Sequence, residues 1–393
     1  MWKITPYCRS CFCTVMENVS SANTQFALDF YREVCGTSGN IFFSPLSISA
    51  AFAMVYLGAK GNTAAQMAKT LSFNMTPDLH SDLQKFISNI DKPDAPYQLT
   101  LANRLYGEKT FSFLKEFLDA TRKFYQAELE PVDFIGAAEE SRCQINQWVE
   151  AQTNGKITDM LDPAAVNDTT TLVLVNALYF KGEWQHAFRR SQTREMPFKI
   201  NERETKPVQM MYLQKVLPFK HIEEYDLQIV EMPYKGDELS TFILLPEGPQ
   251  NGSNPLQKLE KELTLEKIME WTDRKNMDSG GYIDLYLPKF KLEDSYDLKE
   301  ALTHLGMTDA FDENLADLTG INREGGLFIS AAVHKSFIDV NEEGTEAAAA
   351  TGISIKLCCL IIGKEFMADH PFLFFIRHNT SKTILFFGRF SSP

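Results

Sequence analysis

The stretch that most constrains this chain spans residues 341–366. It opens Asn-Glu-Glu-Gly-Thr-Glu, passes through four alanines, and continues Thr-Gly-Ile-Ser-Ile-Lys-Leu-Cys-Cys-Leu-Ile-Ile-Gly-Lys-Glu-Phe. It follows an apolar-rich run, residues 327–340, that reads as a strand. Four alanines would also suit one helical turn, because alanine is the best helix former. The alternation argues for a strand instead. Thr345, Ala347, Ala349, Thr351, Ile353, Ile355 and Leu357 make one set, uncharged and increasingly apolar. Glu346, Ala348, Ala350, Gly352, Ser354 and Lys356 make the other, which holds both charges. Successive side chains of a strand point to opposite faces, so this is a latent strand with one buryable face. Small residues on that face would let it slide between strands already packed. A segment that serves as loop or strand is a switch element, and the rest of the chain must supply a sheet to receive it.

The composition is that of a globular protein: 393 residues, 44% hydrophobic and 23% charged. No Pro/Gly/Ser-rich linker divides it, so one large domain is expected over residues 16–393. A net charge of -13 argues against nucleic acid as a partner, which would favour a basic patch. The short basic spots Arg189-Arg190 and Arg122-Lys123 read as solvated surface. No apolar run is long enough for a transmembrane helix, so no membrane is expected as a partner. The first residues lack the apolar core of a cleavable signal peptide. Seven cysteines is an odd number, and Cys35 and Cys143 stand alone in helical patterns. Reduced thiols in the cytoplasm, or also the nucleus, fit this better than a disulfide framework. Cys8, Cys11 and Cys13 form a Cys-x-x-Cys-x-Cys cluster without a fourth ligand nearby. Residues 1–15 therefore read as a disordered extension without metal.

Phe26, Ala27, Phe30 and Val34 recur at helical spacing. Ile41-Phe42-Phe43-Ser44-Pro45 predicts a short strand and a helix start, with Ser44 as N-cap and Pro45 in the first turn. The helix that follows, through Leu57, is apolar nearly all round, as a buried helix is. Residues 99–106 read as a strand and 114–125 as a helix. Residues 137–152 read as an amphipathic helix with Ile145, Trp148 and Val149 on one side. Residues 170–180 are a near-continuous apolar strand, expected where both faces are buried. From 196 to 287 the pattern is strands and turns, with a hairpin over 227–245. Residues 256–271 read as one helix. Helices early and strands late make an α+β chain.

Enzyme motifs are missing from the sequence: no G-x-S-x-G, P-loop, H-E-x-x-H or Rossmann fingerprint occurs. His221-Ile222-Glu223-Glu224 lacks the second histidine of a zinc helix. Cys358 and Cys359 are nucleophile types, but nothing in the pattern holds a base beside them. No catalytic residue, cofactor or metal is expected.

Three motifs carry a resemblance. Glu342-Glu343-Gly344-Thr345-Glu346-Ala347-Ala348-Ala349-Ala350-Thr351 resembles the hinge of an inhibitory serpin's reactive-centre loop. Ala368-Asp369-His370-Pro371-Phe372-Leu373-Phe374-Phe375-Ile376-Arg377 and Phe387-Gly388-Arg389-Phe390-Ser391-Ser392-Pro393 match the family's carboxy-terminal signature. Residues 176–184, from Asn176 to Trp184, match another. The resemblance runs from about Met16 to the last residue. It is strongest to the intracellular, ovalbumin-like branch, and within it to the granzyme B inhibitor group.

The resemblance implies a large, mainly antiparallel central sheet, further sheets, about nine helices and a mobile loop near 342–366. It implies a hinge from Glu343 to Thr351. It places Ser44 and Ser47 in a "shutter" that holds the sheet closed, with Asn176 and His334 as a shutter hydrogen bond. It places Lys289 and Glu342 as a pair at the top of the sheet. The helix over 137–152 would lie across the sheet and yield when the loop inserts. The implied function is that of a suicide substrate for a serine protease, caught as a covalent complex. Counting from Gly344 puts the scissile bond at Cys358-Cys359. Counting back from Phe366 and Pro371 allows Leu357-Cys358. Either suits a neutral apolar pocket: chymotrypsin-like, elastase-like or granzyme. A non-inhibitory binding or chaperone-like serpin, and an inhibitor of cysteine proteases, stay open as alternatives. A monomer is expected, able to form loop–sheet polymers.

Overall fold

A computed structural model describes residues 9–36, 39–90, 92, 95–248, 254–345 and 363–393, with side chains from Glu17 onward. Leu357, Cys358, Cys359 and the hinge from Glu346 to Thr351 lie outside the described residues, as do Cys8 and the side chains of Cys11 and Cys13.

The chain begins with α1 (Arg9–Val34), β1 (Ile41–Phe43), α2 (Pro45–Tyr56), α3 (Gly61–Thr70) and α4 (Leu79–Ile90). Then come β2 (Tyr97–Glu108), α5 (Lys115–Tyr125), β3 (Leu129–Val132), α6 (Phe134–Gln152) and β4 (Leu172–Glu183). A strand-rich stretch supplies β5 (Arg194–Lys199), β6 (Thr205–Val216), β7 (Phe219–Ile222), β8 (Leu227–Pro233) and β9 (Leu239–Leu245). After α7 (Pro255–Glu262) and α8 (Leu265–Trp271) follow β10 (Tyr282–Pro288), β11 (Phe290–Asp297) and α9 (Leu298–His304). The last strands are β12 (Ile329–Val340), β13 (Gly344–Thr345), β14 (Lys364–Met367), β15 (Phe372–His378) and β16 (Ile384–Phe390). Helix α1 takes up residues 9–15 of the segment read as an extension. The single helix expected over 256–271 is two: Leu263 is extended, and the Thr264 hydroxyl caps α8 by accepting from the Lys267 N–H.

The strands form three sheets. The central one has the order β11-β12-β13-β4-β2-β3. A second runs β1-β16-β15-β9-β8-β7, and a third β14-β10-β6-β5. Strand β4 is buried along nearly its whole length, as its unbroken apolar run requires. Helix α2 lies inside the core, buried from Pro45 to Val55, and contacts both β4 and β16. Its start is fixed locally. Ser44 Oγ accepts from the Ser47 N–H, and Pro45 occupies a first-turn position where a missing N–H costs nothing.

Helix α6 covers the other face of the central sheet. Phe134, Ile145 and Val149 pack on Ala102, Tyr106, Val173, Val175 and Ala177. The buried Glu108 carboxylate, at the end of β2, accepts from the Phe134 and Ile135 N–H groups at 2.7 and 3.2 Å. A carboxylate there satisfies otherwise orphaned donors and suits the helix dipole. Arg104 of β2 sits over the Trp148 ring of α6 at 5.1 Å. The segment that leaves α6 reaches β12, where Lys335 Nζ donates to the Asp159 carbonyl at 2.8 Å. The helix and its tail thus bridge β2 and β12, the two sides of the sheet's centre.

Candidate functional site

Strands β12 and β4 run parallel and pair directly from Ile329 opposite Leu172 to Phe337 opposite Tyr179. Above that point they part. Strand β13 stands between them: Thr345 pairs with Val340 on one side and Gly182 on the other, and Gly344 pairs with Glu183. The centre of the sheet is therefore a slot, closed below and already holding two residues of an extra strand above. A side chain at position 344 would not fit there. A Cβ on Gly344 would lie 2.0 Å from the Gly182 carbonyl oxygen. Thr345 is fully buried, and its hydroxyl is 2.8 Å from that of Tyr234.

Charged and aromatic groups surround the top of the slot. Trp184 stacks on Tyr234 with ring centroids 4.5 Å apart. Its indole N–H donates to the Asn341 carbonyl at 3.0 Å, and its backbone N–H to the Glu343 carbonyl at 2.9 Å. Lys289 Nζ lies 3.0 Å from Glu342 Oε2, and Thr193 Oγ1 donates to Glu342 Oε1 at 2.9 Å. Burial pushes the Glu342 carboxyl up, but these donors outweigh it and hold the group below the ordinary glutamate range. Glu343 pairs with Arg190 at the surface.

The middle of the sheet is held differently. Asn103 of β2, Asn176 of β4 and His334 of β12 stand in register, a polar rung across three strands. The rung meets the amino-terminal end of α2. The Ser44 N–H donates to His334 Nε2 at 3.0 Å. Nε2 is thus the unprotonated nitrogen, and Nδ1–H donates to Asn176 Oδ1. The Asn176 amide donates to Ser47 Oγ at 2.6 Å and to Asn103 Oδ1. Ser44 Oγ donates to the Leu385 carbonyl at 2.6 Å. Complete burial pushes His334 down to about 3, so the ring is neutral. No member of the rung is charged. It joins both sides of the slot to one buried helix.

The structure thus gathers the singled-out residues into two groups: Ser44, Ser47, Asn176 and His334 at the rung, and Trp184, Lys289, Glu342, Glu343, Gly344 and Thr345 at the top. Sequence reading did not find Asn103, Ser336 or Tyr234. Ser336 Oγ donates to the Phe42 carbonyl at 2.7 Å and ties β12 to β1. The available signal was a polar residue within an apolar strand, which Asn103 and Asn176 share. Among the described residues no group of acidic, His or Cys side chains is arranged to hold a metal ion. No described helix is long and apolar enough to cross a membrane.

Comparison with known proteins bears on this arrangement. A family model described as Serpin (serine protease inhibitor) matches residues 21–393. A leukocyte elastase inhibitor from Equus caballus is 52% identical over 380 residues, covering 96% of this chain and 100% of the relative. One from Homo sapiens is 51% identical over 380 residues with the same coverage. Among solved structures, uncleaved ovalbumin aligns with a TM-score of 0.86 at 38% identity, covering 95% of this chain and 100% of its own. Maspin aligns with a TM-score of 0.89 at 36% identity, covering 96% and 100%.

Proposed function

The chain belongs to the serpin family, and on that premise we propose that it inhibits elastase-like serine proteases as a suicide substrate. The observation that carries the reading is the pairing of Gly344 and Thr345 between β12 and β4. The first rungs of an inserted strand are laid at the top of the slot. The alternating, uncharged set that begins at Thr345 continues in sequence from there.

The protease serine attacks the carbonyl carbon of the bait residue. An ester bond forms to that carbon, the peptide C–N bond breaks, and the protonated amine leaves with the carboxy-terminal half. The amino-terminal half loses its tether. It extends the β13 pairing downward, and β12 and β4 separate below Phe337 and Tyr179. About 15 residues at 3.3 Å each carry the acylated protease roughly 50 Å. Displacement distorts its catalytic groups, so the ester is not hydrolysed. The native fold before cleavage is held by a barrier rather than by being the lowest state.

We place the bait bond at Cys358-Cys359, with Leu357-Cys358 as the second choice. Both offer a small or apolar side chain, which fits the name the relatives carry, leukocyte elastase inhibitor. That name favours an elastase-like target over a granzyme. The unbridged Cys35 and Cys143 support an intracellular place of action. The working form is a monomer, and a loop that enters its own sheet can also enter a neighbour's.

The test is incubation with leukocyte elastase and a serine protease panel, followed by denaturing gels and the mass of the released peptide. A band at the summed mass is expected, with a peptide beginning at Cys359 or Cys358. Clean cleavage without such a band, across the panel, would make the chain a non-inhibitory binding serpin.

A further inference from the structure

A cleft lined by none of the slot or rung residues opens where α2 ends, the turn between α3 and α4 passes and α5 finishes. Its volume of about 450 Å³ is that of a small-molecule site. Four rings line it, those of Tyr56, Phe73, His80 and Phe124. Local structure brings them together. Helix α2 is buried from Pro45 to Val55, and Tyr56 is the first residue to emerge. Ser72 takes a left-handed φ of 56°, which turns the chain out of α3 and into the short helical turn Phe73–Met75. His80 stands in the first turn of α4. Its Nδ1 lies 2.6 Å from Tyr125 Oη at the end of α5, which fixes the plane of the imidazole.

The rings form a curved wall. Tyr56 and Phe73 have centroids 5.4 Å apart at 57°, Tyr56 and His80 5.9 Å apart at 36°, and His80 and Phe124 5.9 Å apart at 38°. Rings tilted in this way do not cover one another's faces. Burial pushes His80 down to about 4, so the imidazole adds a neutral ring rather than a positive charge. Lys123 Nζ lies 4.6 Å from the Phe124 centroid, so one ring already draws an ammonium of the chain itself. Two polar groups at the cleft lack partners. The Thr76 hydroxyl is buried without a hydrogen bond, which buried polar atoms rarely tolerate. The exposed Asp78 carboxylate forms no ion pair among the described residues. The Asp78 carbonyl accepts the first bond of α4, from the Asp82 N–H at 3.0 Å. A carboxylate at that position offsets the positive end of the helix, which would otherwise repel a cation.

We propose that this cleft binds a small quaternary-ammonium ligand of the choline class. The trimethylammonium head sits against Tyr56, Phe73, His80 and Phe124, Asp78 is its counter-charge, and the ligand hydroxyl is the partner that Thr76 lacks. The four rings favour this class over a primary ammonium. A quaternary nitrogen spreads its charge over methyl groups and carries no N–H donors, so an aromatic wall leaves none of its hydrogen bonds unmade. Asp78 and Thr76 favour it over a neutral apolar occupant, which would satisfy neither.

The site goes beyond the inhibitory reading and does not depend on it, because none of its residues belongs to the loop, the slot or the rung. The full chain is titrated by calorimetry with choline and with the uncharged isostere in which carbon replaces the nitrogen. Wild type, Phe124→Leu and Asp78→Asn are compared. Asp78 is exposed and unpaired, and Phe124 is half-buried and keeps an apolar replacement, so both variants should hold the wild-type thermal midpoint. Saturable choline binding is expected in wild type, with the isostere about 10-fold weaker. Phe124→Leu should weaken choline about 5-fold, through the lost ring face. Asp78→Asn should weaken it about 3-fold, and that gap should close as salt is raised. Choline that fails to saturate, or that binds no more tightly than the isostere, would overturn the proposal. Choline binding that neither substitution weakens would place the ligand elsewhere and overturn this site.

Discussion

The slot is closed by two unlike devices. At its top, Glu342 and Glu343 are held by Lys289 and Arg190, both substantially exposed. At its middle, His334, Asn176 and Ser47 are buried, neutral and bonded to one another, to Asn103 of β2 and to the start of α2. Surface-facing ion pairs contribute little and weaken with salt. A buried hydrogen bond contributes modestly while made, but leaves a costly orphan when one partner is lost. The top is thus a loose catch where two loop residues already enter. We propose that the rung is the firm catch, which sets how far the sheet opens before cleavage.

Substitutions should separate these roles. The largest effect is expected from Thr345→Arg. Position 345 is fully buried against Tyr234, and an arginine there must either stay out of the sheet or bury an unpaired charge, at a cost of several kcal/mol. The elastase stoichiometry should rise about 100-fold as trapping gives way to turnover. An unchanged stoichiometry would mean that this position does not enter the sheet during trapping.

Acid should act on the rung. His334 is pushed down to about 3 when folded, against about 6.5 when unfolded. The unfolded chain therefore takes up this proton first. The stabilisation is complete above pH 6.5 and is lost as pH falls from 6.5 toward 3, a total of roughly 5 kcal/mol. Protonation also turns Nε2 from acceptor into donor, facing the Ser44 N–H. His80 and His378, both pushed down to about 4 by burial, add to the acid sensitivity. Denaturant midpoints between pH 7 and 4 should fall less steeply in His334→Gln than in wild type. Equal slopes would remove His334 from the acid response.

At neutral pH the same device is broken by Asn176→Ala, which orphans His334 Nδ1–H. About 2–3 kcal/mol of stability should be lost, with faster polymer formation on warming. Glu342→Gln should cost only about 1 kcal/mol, because Lys289 is exposed enough for water to screen the pair. Its effect should shrink further in 0.5 M NaCl, where that of Asn176→Ala should not. A Glu342 variant more damaging than the Asn176 variant would reverse the ranking of the two catches.

Much of this arrangement was legible in the chain. Alternation over 345–357 required a receiving sheet, and the unbroken apolar run ending at Phe180 supplied a strand buried on both faces. Ser44-Pro45 fixed the start of α2 by capping alone. What stayed hidden depends on register between distant strands. Asn103 meets Asn176 across 73 positions, and Tyr234 meets Thr345 across 111. Periodicity reports which face a residue occupies, not its neighbour on the next strand. The break between α7 and α8 was missed for another reason. Leu263 continues the helical spacing of Leu256 and Leu259, and the extended backbone at Leu263 and Thr264 divides it.

The central claim is that cleavage lets the loop complete the central sheet. Thermal unfolding of the intact protein, and of the protein cleaved in its loop by a protease it does not trap, tests this most directly. Insertion gives the new strand ladder partners on both sides and buries its alternating face. The cleaved form should unfold tens of degrees above the native form. A cleaved form that unfolds at or below the native midpoint would contradict the account.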